Sequence, residues 1–217
     1  MTLYGELPEV VCNIGRDIDC EEMMYYLYFP IKLPESEIVL ETRLEKFRTI
    51  IDMALANNAE SLGGKANKYV YLTVKTLPFC KGNTGQRPGW HSDGFMTDDI
   101  NYIWYTDVPT IFCEADAPMP IIQDHEKSLT EMEMLATNGR HVSYPNRTLL
   151  RLDQGVIHKV NENSCFEGVR TFVKISISDQ PYALKGNSIN SRLPLGFEYK
   201  DRIKSRNCPT GSHKTKP

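Results

Sequence analysis

The sequence predicts a mainly β protein with flanking helices, of the α+β class, built as an antiparallel double-sheet barrel under an N-terminal helix. Short runs rich in β-branched and aromatic residues follow one another after residue 67, separated by Pro and Gly. One long helical periodicity precedes these runs and does not alternate with them. This order favours antiparallel sheets over a parallel sheet with crossover helices.

The chain of 217 residues has the length of a single domain. We divide it into a helical support over residues 1–67, a barrel core over residues 68–180 and a C-terminal extension over residues 181–217. The extension ends in a basic tail whose composition is typical of a disordered end.

Two helices are predicted from periodicity and capping signals. The first runs from Ser36 to about Asn57, with apolar residues recurring mostly at steps of three and four before an Asn- and Gly-rich stretch. The second runs from Ser128 to Gly139, where Ser128 and Glu131 have the spacing of a capping box. The first helix is expected to cover the strands that follow it.

The predicted strands come in a series after the first helix. They have the composition of half-buried or buried strands and are bounded by turn residues. Their sequences are KYVYLTVKTL from residue 68, two runs around Pro109 within residues 100–113, RTLLRL from residue 147, GVIHKV from residue 155 and RTFVKISIS from residue 170.

Charge, cysteine usage and hydropathy limit the function classes. The formal net charge of -3 and pI near 6.0 argue against a protein built mainly to hold nucleic acid. The six cysteines form no Cys-x-x-Cys pair, so neither a zinc knuckle nor a disulfide framework is indicated. The chain has no signal-peptide pattern and no membrane-length apolar run, so we expect a soluble, cytoplasmic protein without a membrane partner.

The segment GWHSDGF contains an imidazole and a carboxylate two positions apart, His91 and Asp93. In an extended segment these side chains point to the same side and can bind one metal ion. His158, about 65 residues later, is available as a third ligand. Two imidazoles and one carboxylate are the ligand set of non-haem iron(II) sites with open positions, and zinc is the chemical alternative.

Arg170 adds an anion-binding group to this set. It begins an apolar strand 12 residues after His158. A guanidinium held at the wall of a barrel suits two-point binding of a carboxylate.

The order His91-x-Asp93, then His158, then Arg170 resembles that of the iron(II) and 2-oxoglutarate-dependent dioxygenase superfamily. The resemblance implies a double-stranded β-helix, or jelly-roll barrel, from about residue 69 to residue 178. It implies that His91, Asp93 and His158 are the catalytic iron ligands and that Arg170 pairs with the far carboxylate of 2-oxoglutarate. A further partner for that carboxylate would be one of three residues on the strand before the motif: Tyr71, Thr73 or Lys75.

The activity implied by the resemblance is that of an oxidoreductase that uses iron(II), 2-oxoglutarate and dioxygen and releases succinate and CO2. We expect a hydroxylase of a small metabolite, such as an amino acid or nucleoside derivative, because the chain is short for a large lid or docking domain. Side chains around the motif are candidates for contact with the substrate: Arg87, Trp90, Phe95 and Trp104.

Three alternatives stay open. One is a cupin-like metalloenzyme that does not use 2-oxoglutarate. Another is an oxygenase acting on a nucleotide or nucleic acid, held by the basic residues of the tail: Lys200, Arg202, Lys204, Arg206, Lys214 and Lys216. The third is a non-catalytic jelly roll. The oligomeric state is not predicted.

Overall fold

The computed structural model describes residues 2–15, 18, 20–62, 67–196 and 198–202. The elements within this part of the chain are strands β1 to β9, helices α1 and α2, and a 3-10 helix that leads into α1. Their bounds are β1 Glu9–Asn13, β2 Met24–Lys32, 3-10 helix Thr42–Phe47, α1 Arg48–Leu62, β3 Tyr69–Phe79, β4 Ile100–Tyr105, β5 Thr110–Glu114, α2 Lys127–Asn138, β6 Arg140–Ser143, β7 Thr148–Leu152, β8 His158–Val160 and β9 Gly168–Ser178.

The strands form two antiparallel sheets. The larger sheet has six strands in the order β1-β7-β4-β9-β3-β2, and the smaller has three in the order β6-β5-β8. The mainly β class with helices is therefore confirmed. The hydrogen-bonded ladders of the two sheets do not join in the described residues, so the structure shows two antiparallel sheets and not a closed barrel.

The strands predicted in the core are all present, with ends that differ by a few residues. Strands β1, β2 and β6 are additional. β1 and β2 come from the segment predicted as helical support, and they form the two edges of the larger sheet. β2 pairs with β3 through a ladder with two register shifts, and such irregularities weaken an alternating sequence pattern.

The first helical region begins at Thr42, six residues later than predicted. The hydroxyl of Ser36 instead closes a turn, accepting from the N–H of Leu33 at 2.9 Å and donating to its carbonyl at 3.0 Å. The N–H of Val39 donates to the carbonyl of Ile31 at 2.8 Å. These bonds hold the segment after Ser36 against β2, so its backbone cannot form helical hydrogen bonds.

The predicted capping box of the second helix is also wrong. The carboxylate of Asp124 accepts from the N–H groups of Glu126 and Lys127 at 3.0 and 2.9 Å. Glu131 accepts from the N–H of Ile122 at 2.6 Å, so it does not reach back to Ser128. The helix thus starts earlier, and Ser128 is buried within it.

The two faces of the larger sheet have different roles. One face packs against α1 and the 3-10 helix, confirming the predicted helical cover. This core includes Leu44, Phe47, Ile50, Ile51 and Ala54 from the helices and Leu72, Val74, Tyr102, Trp104, Val173 and Ile175 from the strands. A second cluster includes side chains of the larger sheet together with Phe112 of β5 and Val156 before β8. None of the described helices is long and apolar enough to cross a membrane.

Candidate functional site

Strand alternation brings polar side chains of β3 and β9 into one cavity of about 290 Å³. On β9, Arg170 and Lys174 share a face, while Val173 and Ile175 point into the helix-covered core. On β3, Thr73 and Lys75 face the same cavity. The cavity is therefore built from the sheet face that α1 does not cover.

The three predicted metal ligands lie at this cavity. His91 and His158 form an isolated antiparallel bridge, with N–H to carbonyl distances of 3.0 and 2.8 Å. Their ring centroids are 4.7 Å apart. The Oδ2 atom of Asp93 lies 3.7 Å from Nε2 of His158. A backbone bridge thus brings together side chains that are far apart in the sequence.

Backbone carbonyls orient both imidazoles. Nδ1 of His91 is 2.9 Å from the carbonyl oxygen of Gly89, and Nδ1 of His158 is 3.2 Å from that of Val156. A carbonyl oxygen only accepts, so Nδ1 must carry the proton and Nε2 keeps its lone pair. Burial lowers the pKa of both histidines, with the neighbouring imidazole also lowering that of His91. Neutral rings with a free Nε2 are the form that binds metals.

Lys174 is a member of the site that our sequence analysis missed. Its Nζ lies 3.0 Å from Oδ1 of Asp93 and donates to the hydroxyl of Tyr28 at 3.1 Å. Burial alone would raise the pKa of Asp93, but the charge of Lys174 holds it well below its usual range. Burial lowers the pKa of Lys174, and Asp93 and Tyr28 reverse this and raise it. Both groups of the pair are therefore ionised.

The donor set fits a divalent cation, although Lys174 occupies part of it. In the part of the chain that the structure describes, no three His, Cys, Asp or Glu side chains are grouped closely enough to form an assembled metal site. Oδ1 of Asp93 is bonded to an ammonium group. Two neutral imidazoles and a carboxylate are nevertheless ligands suited to iron or zinc. A metal ion would compete with Lys174 for this carboxylate.

Arg170 is held rigidly beside the same cavity. It is 3% exposed, and its Nε donates to the carbonyl of Val108 at 2.8 Å. The rings of Tyr105 and Phe172 lie 5.6 and 5.5 Å from the guanidinium carbon. Nη1 is buried without a hydrogen-bond partner among the described residues. Burial lowers the pKa of Arg170 to about 10, so it stays charged near pH 7, and it forms no ion pair within the described residues.

The three candidates on β3 differ in what they contact. Thr73 and Lys75 line the cavity, where Oγ1 of Thr73 accepts from the N–H of Tyr28 and Lys75 donates to Gln86 at 3.3 Å. The side chain of Tyr71 is not part of the cavity lining. Its hydroxyl accepts from the N–H of Tyr182 at 3.0 Å and packs in a tyrosine cluster.

Two of the four candidate substrate contacts line the cavity and two do not. Arg87 and Phe95 line the cavity. Trp90 does not, because its ring packs in a separate core and lies 4.7 Å from Nζ of Lys159. Trp104 lies in the core beneath α1, because strand alternation turns it to the opposite face of β4.

Two tyrosines that our sequence analysis did not select complete one wall. The rings of Tyr28 and Tyr182 stack with centroids 4.3 Å apart, and both line the cavity. The hydroxyl of Tyr182 donates to Asp99. Tyr182 lies after β9, and Tyr28 lies in a strand that was not predicted, so the spacing of the motif residues contained no signal for either.

Comparisons with known proteins add little to this geometry. No family model and no curated protein matches the chain. Among solved structures, the chain is similar to a bsmA homologue from Methylobium petroleophilum PM1, with 12% identity and a TM-score of 0.33. The alignment covers 73% of this chain and 64% of that structure, so the chain spans less than two thirds of its length. This likeness is too weak to support an argument about function.

Proposed function

We propose that this protein is an iron(II)- and 2-oxoglutarate-dependent oxygenase, an oxidoreductase that hydroxylates a small metabolite. One observation carries the proposal. His91, Asp93 and His158 meet in the same cavity as Arg170, a buried guanidinium with one N–H group that has no hydrogen-bond partner in the described part of the chain. A metal-binding set and an anion-binding group in one cavity are what a metal-chelated carboxylic acid cosubstrate requires.

The chain itself supplies orientation and charge. His91, Asp93 and His158 would hold the iron, with each imidazole fixed through Nδ1 by a backbone carbonyl. The bound iron, with 2-oxoglutarate and dioxygen, would supply the oxidant for a substrate C–H bond, with release of succinate and CO2. Arg170 would bind the far carboxylate and so fix the direction of the cosubstrate in the cavity.

Thr73 and Lys75 remain the candidates for a second contact with that carboxylate. Both line the cavity on the strand next to β9. Burial is the main cause that lowers the pKa of Lys75. The charge of Lys174 lowers it further, and so does the charge of Arg170. Tyr71 is a poorer candidate because its hydroxyl is bonded within the tyrosine cluster.

The size of the cavity favours a small substrate. A volume of about 290 Å³ is at the lower end of the range for small-molecule sites, and the cosubstrate would take part of it. An amino acid or nucleoside derivative fits this limit better than a polymer that must enter the cavity. Of the basic tail proposed to hold nucleic acid, Lys204, Arg206, Lys214 and Lys216 lie outside the described residues.

Anaerobic titration of the iron(II)-loaded protein with 2-oxoglutarate tests the proposal. We expect a weak visible metal-to-ligand charge-transfer band that is absent in His158→Ala. Arg170→Met should need at least about tenfold more 2-oxoglutarate, because a charged hydrogen bond to the carboxylate is lost. Arg140→Met is the matched control, since Arg140 is an exposed arginine that pairs with Glu114 outside the cavity.

Wild-type protein that binds iron without producing the band would contradict the use of 2-oxoglutarate. A cupin-like metalloenzyme would then explain the three ligands better. Failure of the wild-type protein to bind iron would contradict both interpretations and leave a non-catalytic protein.

A further inference from the structure

The cavity contains more positive charge than one dicarboxylate requires. Among the described residues that line it, Asp93 is the one carboxylate. Six lining side chains are cationic: Lys75, Arg87, Lys159, Arg170, Lys174 and Arg202. Unpaired cations in a partly buried cavity repel one another, so such an excess indicates that the natural contents are anionic.

Five of the six cations already have a partner among the described residues. Lys174 is paired with Asp93 at 3.0 Å. Lys159 lies over the ring of Trp90. Arg202 donates to the side-chain oxygen of Asn187 at 2.6 Å. Lys75 and Arg170 also donate hydrogen bonds, to Gln86 and to the carbonyl of Val108. Arg87 is the sixth cation.

Arg87 is the exception, because in the described part of the chain it is stabilised only at a distance, by the charge of Asp93, which opposes the effect of burial in lowering its pKa. It lines the cavity and is partly buried, and its guanidinium has no hydrogen bond or ion pair among the described residues. Lys75, in contrast, is bonded to the side chain of Gln86. Pro88 follows Arg87 and restricts its backbone to extended conformations, which limits the directions the side chain can take. The loop therefore places the guanidinium of Arg87 at the cavity, where partial burial of its charge destabilises the folded protein.

Arg87 and Arg170 reach the cavity from different elements. Arg87 lies on the loop four residues before His91, and both side chains line the cavity. Arg170 lies on β9, where its Nε is bonded to the carbonyl of Val108. The cavity thus has one guanidinium on the loop that leads into the metal motif and another on the sheet.

We propose that Arg87 binds an anionic group of the substrate, a carboxylate or a phosphate, while Arg170 is occupied by the cosubstrate. This inference rests on the proposed function. A guanidinium fork near the metal ligands would hold the anionic end of a small molecule and leave its reactive carbon close to the metal. The substrate class is therefore a small organic acid or a phosphate ester.

Calorimetric titration of small anions into the protein tests this inference. The protein is loaded with manganese(II) and saturated with 2-oxoglutarate, so that the site at Arg170 is filled. The probes are benzoate and inorganic phosphate, and benzamide is the uncharged counterpart of benzoate. Arg87→Met is compared with Lys81→Met, which removes one positive charge from an exposed position of the same loop outside the cavity.

We expect wild type and Lys81→Met to bind at least one of the two anions, with benzamide bound more weakly than benzoate. Arg87→Met should weaken anion binding at least about tenfold, since a hydrogen bond between charged groups is lost. Preference for benzoate identifies a carboxylate, and preference for phosphate identifies a phosphate ester. Neither anion binding to wild type, or equal binding to Arg87→Met, would overturn the inference.

Failure of the anion site at Arg87 and failure of the oxygenase proposal give different results in these titrations. If 2-oxoglutarate does not bind to wild type, the oxygenase proposal fails, whereas benzoate binding that depends on Arg87 still supports an anion site. If 2-oxoglutarate binds through Arg170 and abolishes anion binding, both anions share one site and only the present inference fails.

Discussion

The ammonium of Lys174 lies 3.0 Å from Oδ1 of Asp93, within the group of side chains proposed to hold the metal. The lysine side chain is 7% exposed and the aspartate side chain 18% exposed. In the absence of a metal, Lys174 therefore compensates a carboxylate that would otherwise be buried without a partner. This contact neutralises the one charged member of the proposed ligand set before any ion binds.

Lys174→Met should destabilise the metal-free protein by about 2 to 4 kcal/mol, because it leaves the Asp93 carboxylate partly buried and unpaired. Manganese(II) should then stabilise this variant more than wild type, because the ion replaces the missing charge without competing with an ammonium. Urea unfolding with chelator and with manganese(II) measures both effects. Lys185→Met is the control: it breaks an exposed pair with Asp201 and should cost less than about 1 kcal/mol.

The double variant Asp93→Asn/Lys174→Met separates the ion pair from other roles of the lysine. Its loss of stability should be smaller than the sum of the two single losses, because each single variant leaves one buried charge without its partner. Additive losses, or equal stabilisation of wild type and Lys174→Met by manganese(II), would show that the contact does not compensate Asp93.

Lys75→Met should raise the free energy of unfolding at pH 7 by about 1 to 2 kcal/mol. Burial and, after it, the charge of Lys174 lower the pKa of Lys75 to about 8, so its charged form is disfavoured in the folded state. In the unfolded chain Lys75 has the usual lysine pKa of 10.5 and keeps its proton up to that pH. Wild type therefore gains stability between pH 8 and 10.5, and the advantage of the variant should shrink in that window.

Urea unfolding at about pH 7, 9 and 10.5 checks this dependence. Lys81→Met, at an exposed position of the neighbouring loop, should change stability little at any of these values. An advantage of Lys75→Met that stays constant across the range would mean that the titration of Lys75 does not contribute.

Gly94→Ala should cost about 2 to 4 kcal/mol and weaken manganese(II) binding. Gly94 has φ +69°, and a Cβ would lie 3.0 Å from Cβ of Asp99 and 3.2 Å from Oγ1 of Thr97. Relief of that contact would move the neighbouring Asp93. Gly89→Ala is the matched control, because Gly89 has φ +76° but no described atom within 4 Å of the added Cβ.

Backbone strain alone should make Gly89→Ala cost about 1 to 2 kcal/mol. Thermal unfolding and metal titration of the two variants, side by side, measure the difference. Equal losses of stability and unchanged metal affinity in both would show that crowding at Gly94 does not position the carboxylate.

Phe47→Ala should destabilise the protein by about 3 to 5 kcal/mol, because Phe47 is fully buried between the helices and the larger sheet. Its cavity would open on the sheet face that points away from Arg170 and Lys174. The affinity of the folded variant for 2-oxoglutarate should therefore stay within about twofold of wild type, because changes at separate sites that share no contacts act independently. Calorimetry below the unfolding temperature checks this, and a large loss of affinity would indicate coupling through the sheet.

The regular strands and the metal motif could be predicted from the sequence because their signals are local. Alternation along β3 and β9 separates apolar from polar positions, and the His-x-Asp pattern is visible within three residues. Lys174 lies four positions after Arg170 on β9, so strand alternation predicts that both side chains point to the same face. Its partner Asp93 is brought to it by tertiary structure, which the strand pattern does not report.

Other features depend on contacts that sequence patterns do not encode. The helical periodicity extends back to Ile38, but the hydrogen bond of Val39 to β2 holds this segment outside the helix. Tyr28 reaches the cavity from an edge strand with an irregular register. Trp104 has the composition of a substrate contact, yet its position on β4 directs it to the opposite face.

Strand β9 contributes side chains to both the cavity and the core. Arg170 and Lys174 line the cavity on one face, and Val173 and Ile175 pack in the core on the other. Replacing one of these side chains alters either the cavity or the core, but not both. Inserting or deleting one residue in β9 would exchange the two faces beyond that point, burying a lysine beneath the helix and exposing a valine to the cavity. The strand can thus accumulate substitutions, whereas a change of its length by one residue would remove the fold and the site together.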